Sequence, residues 1–212
     1  MDERRMIRNK LLAEKVIKGL ESRNMEGFYA ETREDALKTA LELIPEGSSV
    51  GWGGSVSVDA IGLKEAVCVG NYQIYDRNAC KTEEEKRETE LAVLGSDFLL
   101  SSTNAITEDG VLVNIDGRGN RVAGIVYGPR NVIIVAGMNK VVKTLEDAWS
   151  RARNEAAPIN AQRFPIQTPC KKTGSCADCK SPDTVCCQFL VTRFSKVPKR
   201  IKVILVNEEL GF

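Results

Sequence analysis

The chain has 212 residues, 42% of them hydrophobic, which is enough for one substantial core, so a single domain spanning residues 1–212 is expected. Thirty Lys plus Arg against 29 Asp plus Glu leave a formal charge of +1, which gives no whole-chain attraction to nucleic acid or to an anionic membrane. The absence of His excludes Ser-His-Asp triads, Cys-His nucleophile pairs and mixed Cys/His metal sites within this chain.

Residues 3–24 carry Leu12, Val16 and Leu20 at i, i+4 steps, with Met6, Ala13 and Ile17 beside them, which predicts an amphipathic helix. Ile7 and Leu11 fall on its opposite side, either as scattered surface apolars or as a second contact pairing the chain with another copy. GFYA predicts a short strand, TREDALKTALELI a helix capped by Thr32, and SSVGWGG a strand entering a glycine turn. The alternation continues with SVSVDAIGL as a short helix, YQIYD as a strand, TEEEKRETELAVLG as a helix capped by Thr82, and DFLLSS as a strand. GVLVNID and NVIIVAG follow as strands, the second an uninterrupted run suited to burial on both faces. TLEDAWSRARNEAA is the last helix and RIKVILVNE the last strand. Strands alternating with helices predict an α/β fold around a mostly parallel sheet. Residues 158–187 form the one long irregular stretch, and a loop of that length is expected to be functional or tied down.

No apolar run approaches the roughly 18 residues that span a bilayer, and the opening residues show no secretory apolar segment, so a cytoplasmic protein with no membrane partner is expected. No nucleotide-cofactor fingerprint is present.

Two segments read as ligand-facing loops at strand ends. In VGWGGSVS, Gly53 and Gly54 end a strand and Ser55 can open a helix, presenting backbone N–H groups to an anion, although a plain tight turn has the same composition. In SSTNAITEDGVLVNIDGRGNRVAG, Asp109 and Gly110 read as a turn between FLLSS and VLVNI, and DGRGNR leads into a helix start. Turn chemistry alone accounts for Asp109, Gly110, Gly117 and Gly119. Ser102, Asn104, Glu108, Asn114, Asp116 and Asn120 gather around the same turns. Asn104, Glu108 and Asn114 in particular sit beside apolar strand residues, where polar groups need partners in the fold or in a ligand.

The run SSTNAITEDGVLVNIDGRGNRVAGIVYGPRNVIIVAGMNKVV, with VGWGGS upstream and TPCKKTGSCADCKSP downstream, resembles the LUD (lactate utilization) domain family over most of the chain. It is most similar to a single-domain bacterial branch that bears a cysteine loop. The resemblance implies an α/β fold like that of the glucosamine-6-phosphate deaminase, ribose-5-phosphate isomerase and CoA-transferase group. It implies a small-anion pocket, for a carboxylate or phosphate, with Gly53, Gly54 and Ser55 on one wall and Asn104, Glu108, Asp116, Gly117 and Asn120 on the other. Glu108 is the carboxylate expected to act as acid, base or nucleophile, its alternative role being to cap a turn. Some members of the family take part in oxidation of lactate to pyruvate alongside iron–sulfur partner proteins, and fold alone does not fix the reaction. A phosphosugar or acyl-CoA converting enzyme of the same fold, and a non-catalytic metal- or redox-sensing module, remain alternatives.

Five of the seven cysteines lie within TPCKKTGSCADCKSPDTVCC. Cys170, Cys176, Cys179 and Cys186 have the spacing C-x5-C-x2-C-x6-C, whose C-x2-C pair can bring two thiolates to one metal ion or cluster. Cys187 should face away from its neighbour. Nine Lys or Arg between Arg163 and Lys202, against Asp178 and Asp183, would offset clustered thiolate charge. The same basic stretch lacks interleaved aromatics, so nucleic acid is not an expected partner. Zinc and an iron–sulfur cluster are both open, and reactive redox thiols or inert loop cysteines are the competing readings.

Overall fold

The computed structural model describes residues 2–212, in which ten strands form two sheets. The first five strands are β1 (Glu26–Ala30), β2 (Ser49–Trp52), β3 (Gln73–Tyr75), β4 (Phe98–Ser101) and β5 (Ala105–Thr107). The others are β6 (Leu112–Asp116), β7 (Asn131–Gly137), β8 (Val141–Val142), β9 (Gln188–Thr192) and β10 (Ile201–Val206). A six-stranded sheet runs in the order β1-β10-β7-β4-β2-β3 with every pair parallel. The expected α/β fold around a parallel sheet is therefore what the chain forms.

Alternation of side chains explains why the central strands are apolar throughout. Along β7, Ile133 and Val135 join one core cluster and Val132, Ile134 and Ala136 the other, and β10 divides in the same way. Helices cover both faces. On one lie α2 (Arg33–Glu42), α3 (Val56–Ala60) and α4 (Leu63–Val69), which bury Ala36, Ala40, Val58, Leu63 and Val67. On the other lie α1 (Glu3–Ser22), α5 (Glu83–Leu94) and α6 (Asn120–Val126), contributing Ala13, Val16, Leu20, Val93 and Ile125. Thr32 and Thr82 close capping boxes with Asp35 and Glu85, each stabilising its helix start by about 1 kcal/mol. Ile7 and Leu11 remain on the outer side of α1, 56% and 63% exposed. No helix among the described residues is long and apolar enough to cross a membrane.

The second sheet, in the order β8-β5-β6-β9, was not legible in the sequence as a separate layer. It packs Ala105, Val113 and Ile115 against Ala148 of α7 (Leu145–Arg151) and against Ala152 and Ala157 in the π-turn and short helix α8 (Ala157–Ala161) that continue it. Its existence corrects the reading of the TEDG turn. Asp109 and Gly110 join β5 to β6, not β4 to β6, because the chain leaves the parallel sheet after Ser101 and starts a new strand at Ala105. Gly110 has φ +87°, and a Cβ there would come within 2.5 Å of the Leu20 backbone nitrogen. The hairpin tip thus lies directly on α1, which only glycine permits. The cysteine stretch contains α9 (Pro169–Thr173) and is tied down at its exit, where β9 pairs with β6 and Cys187 N–H donates to the Asp116 carbonyl at 2.9 Å.

Candidate functional site

A cleft of about 500 Å³ opens at the carboxyl ends of the parallel strands, where open α/β sheets place their ligands. Trp52, Gly53, Gly54 and Ser55 enter it from the end of β2, and Ser102, Thr103 and Asn104 from the end of β4. Lys140 comes from the single turn after β7, and Asp116, Gly117, Arg118, Asn120 and Arg121 from the passage between β6 and α6. Ser55 caps α3, its hydroxyl accepting from Val58 N–H at 3.2 Å. The Asp116 carboxylate does the same work at α6, accepting from Gly119 N–H at 3.1 Å and Val122 N–H at 3.3 Å.

Arg121 organises the wall. Nη1 donates to the Ser102 carbonyl at 2.9 Å and Asn114 Oδ1 at 2.7 Å. Nη2 donates to the Ile115 carbonyl at 2.8 Å and Asn104 Oδ1 at 3.3 Å, and Nε lies 3.5 Å from Asp116. With its donors so engaged, this guanidinium sets the positions of Asn104, Asn114 and Ser102 and adds positive charge to the cleft. Gly53 is close to it, since a Cβ there would sit 3.0 Å from the Arg121 Cβ and Cγ, whereas one at Gly54 would meet nothing within 4 Å.

Lys140 is a buried and strongly perturbed cation. It is 3% exposed, and Nζ donates to Ser57 Oγ and Ser102 Oγ, each at 3.0 Å. Burial first, then the guanidiniums of Arg151 and Arg121, lower its pKa from 10.5 to about 7. An amine so placed is divided between its charged and neutral forms near neutral pH and can exchange a proton with a ligand or a hydroxyl.

A family model described as LUD domain matches residues 13–206. The chain belongs to the LUD domain family. A DUF162 family protein from Deinococcus radiodurans, known from its crystal structure, is similar in fold, with a TM-score of 0.55 at 14% identity over 94% of this chain and 98% of that one. Comparison with characterised proteins gave no match.

In this LUD domain, Gly53, Gly54, Ser55, Ser102, Asn104, Asp116, Gly117 and Asn120 all line the cleft. Asn114 is fully buried beside it, held through Oδ1 by Arg121, and Gly119 supports it from the α6 cap. Glu108, Asp109 and Gly110 are not brought to it. They lie at the opposite end of the β5–β6 hairpin, where Glu108 pairs with Lys15 of α1 at 2.5 Å and Asp109 with Arg23. The physical reason is direction: β5, which follows Asn104 at the cleft, carries the chain away before it reaches Glu108. Lys140, Trp52 and Arg121 were missed. A single lysine three residues beyond the buried run NVIIVAG was the available signal for the first, since a charge there must be buried, paired or functional.

Cys170, Cys176, Cys179 and Cys186 line a separate cavity of about 60 Å³, with Arg153 and Phe189. This cavity meets the cleft at Val185, which lines both. The Cys186 thiol is pushed up to about 11, by burial first and then by Cys176, Cys170, Cys179 and Cys187. The seven cysteines are free, and among the described residues no three Cys, Asp or Glu side chains stand close enough together to hold a metal ion. Donor type and number therefore fit a soft metal centre, while ligation would require the loop to draw its thiols inward.

Proposed function

We propose that this LUD domain binds a small organic anion in the strand-end cleft, and that the anion is lactate or a related hydroxy acid whose oxidation is completed by a separate iron–sulfur protein accepting its electrons. The observation that carries the anion reading is the charge of the cleft. Lys64, Arg77, Arg118, Arg121 and Arg163 line it, joined by Lys140 when protonated, against Asp59, Asp116 and the Glu90 carboxylate that pairs with Arg77 and Arg118, in a chain whose total charge is only +1. Low-dielectric walls of one sign concentrate oppositely charged ligands. Trp52 supports the same reading, because it lines the cleft, is 5% exposed, and its indole N–H has no hydrogen-bond partner among the described residues. A buried indole N–H normally has an acceptor, which a ligand oxygen would supply. The cysteine cavity beside the cleft is proposed as the seat of a zinc or iron–sulfur centre once its thiols close.

The cleft's size favours a second reading. About 500 Å³ falls within the range of drug-sized ligand pockets, and a three-carbon acid fills little of it, so a sugar phosphate or an acyl-CoA compound is the alternative occupant. Thermal-shift titration with lactate, glycolate, sugar phosphates and CoA esters separates the two. A true ligand stabilises by RT ln(1 + [L]/Kd), about 2.7 kcal/mol at a hundredfold excess over Kd. Gly54→Val, whose side chain meets no protein atom within 4 Å of its Cβ, should fold normally and lose that stabilisation. No stabilisation by any of these anions, or an effect unchanged in Gly54→Val, would remove the cleft from consideration.

A further inference from the structure

Three adjacent strands of the parallel sheet deliver one polar side chain each to a single point at the cleft. Ser57 stands in α3, which follows β2; Ser102 follows β4; Lys140 follows β7. Lys140 Nζ lies 3.0 Å from both hydroxyl oxygens, and these are 3.3 Å from each other. The protons in this cluster can be assigned. Ser57 Oγ–H donates to the Leu210 carbonyl at 3.1 Å, so its oxygen accepts from Lys140. For the Ser102 hydroxyl, the Ser57 oxygen at 3.3 Å and the Thr103 carbonyl at 3.4 Å are both more distant than the amine, whose lone pair becomes its nearest acceptor whenever Lys140 is neutral.

The surroundings favour that neutral state. The charged groups that bear on Lys140 are the guanidiniums of Arg151 and Arg121, both repelling a proton, and burial acts in the same direction. A lysine buried for packing alone would be expected beside a carboxylate. Here two hydroxyls take that place. A nucleophile within hydrogen-bond reach of a base, with the base held by a third group, is the arrangement that activates serine. Ser102 lines the cleft, whereas Ser57 is 1% exposed and stands behind it.

We propose that Ser102 is a nucleophile, with Lys140 as its general base and Ser57 as the positioning residue for the amine, and that the cleft performs acyl transfer on an ester or thioester bearing an anionic group. Ser102 Oγ forms a bond to the acyl carbon while its proton passes to Lys140 Nζ. Collapse of the tetrahedral intermediate breaks the bond to the alkoxide or thiolate, which leaves with the proton returned by Lys140. Water then cleaves the acyl-serine, again through Lys140, giving the carboxylic acid and free Ser102 with no net oxidation. The inference rests on these three side chains and does not depend on hydroxy acids binding in the cleft.

The test uses an alkyl fluorophosphonate on the full chain, since attack on phosphorus forms a P–O bond, expels fluoride and leaves a stable mass increment on an activated serine. Peptide mass spectrometry is expected to place the adduct on Ser102, with a labelling rate that climbs as pH rises through about 7, where the Lys140 amine loses its charge. Ser102→Ala should abolish labelling of that peptide, Lys140→Met should slow it by about 100-fold, and Ser57→Ala by about 10-fold. An adduct elsewhere, no adduct, or a folded Lys140→Met chain labelled at the wild-type rate would overturn the proposal. Should Lys140→Met not fold, labelling of the wild-type Ser102 that is independent of pH between about 6 and 9 would overturn it equally.

Discussion

Replacing Lys140 by Met keeps an unbranched side chain of similar length and removes the amine that donates to Ser57 and Ser102. The folded chain lowers this amine's pKa from 10.5 to about 7, through burial and then Arg151 and Arg121. Between those values the unfolded chain binds a proton that the folded chain does not, so the stability contributed at this position rises with pH across that window. Below about pH 7 the whole penalty is present, on the order of 5 kcal/mol for a separation of about 3.5 at about 1.4 kcal/mol each, and above 10.5 it vanishes. The variant cannot titrate here. Urea denaturation of both proteins near pH 7.5 and pH 9 should therefore show wild type gaining about 2 kcal/mol on Lys140→Met between the two conditions. Groups that titrate in both proteins cancel in the difference. The lost hydrogen bonds to Ser57 and Ser102, about 1 kcal/mol each, displace it by a constant amount. A difference that stays constant with pH would show that Lys140 carries the same charge folded and unfolded, and would refute the reasoning.

Glu108→Gln should leave anion binding in the thermal-shift assay unchanged and lower stability by less than about 1 kcal/mol, because its partner Lys15 is 63% exposed; loss of binding would return Glu108 to the site. Gly53→Ala should cost about 1–2 kcal/mol in urea unfolding by pressing on Arg121, while Gly54→Val should not, so equal melting temperatures for the two variants would contradict the packing at the β2 turn. Anaerobically purified protein should contain zinc or iron by elemental analysis, with Cys179→Ser reducing it strongly and the exposed Cys187→Ser leaving it unchanged. Metal below about 0.2 per chain in wild type would rule out the centre, since thiolate sites of this kind bind tightly.

The local chemistry of this chain was legible because it is local. Thr32 and Thr82 cap helices by contacts within four residues, and the run NVIIVAG declares a strand buried on both faces by its composition alone. The glycine turn at Gly53 and Gly54 was placed at the cleft because it ends a parallel strand, and parallel strands share one carboxyl edge. Strands β5 and β8, three and two residues long, are too short to show a period, so the second sheet stayed hidden.

That sheet decided the rest. It carries Glu108 away to α1 and ties the cysteine loop to Asp116 beside the cleft. The α/β class, the helix starts and the strand-end loops can be read from the residues alone, since each depends on neighbours within one element. Which charges meet depends on how distant strands pair. Ser57, Ser102 and Lys140 lie far apart in the chain, and the perturbed amine exists because parallel pairing of β2, β4 and β7 brings their ends together away from water.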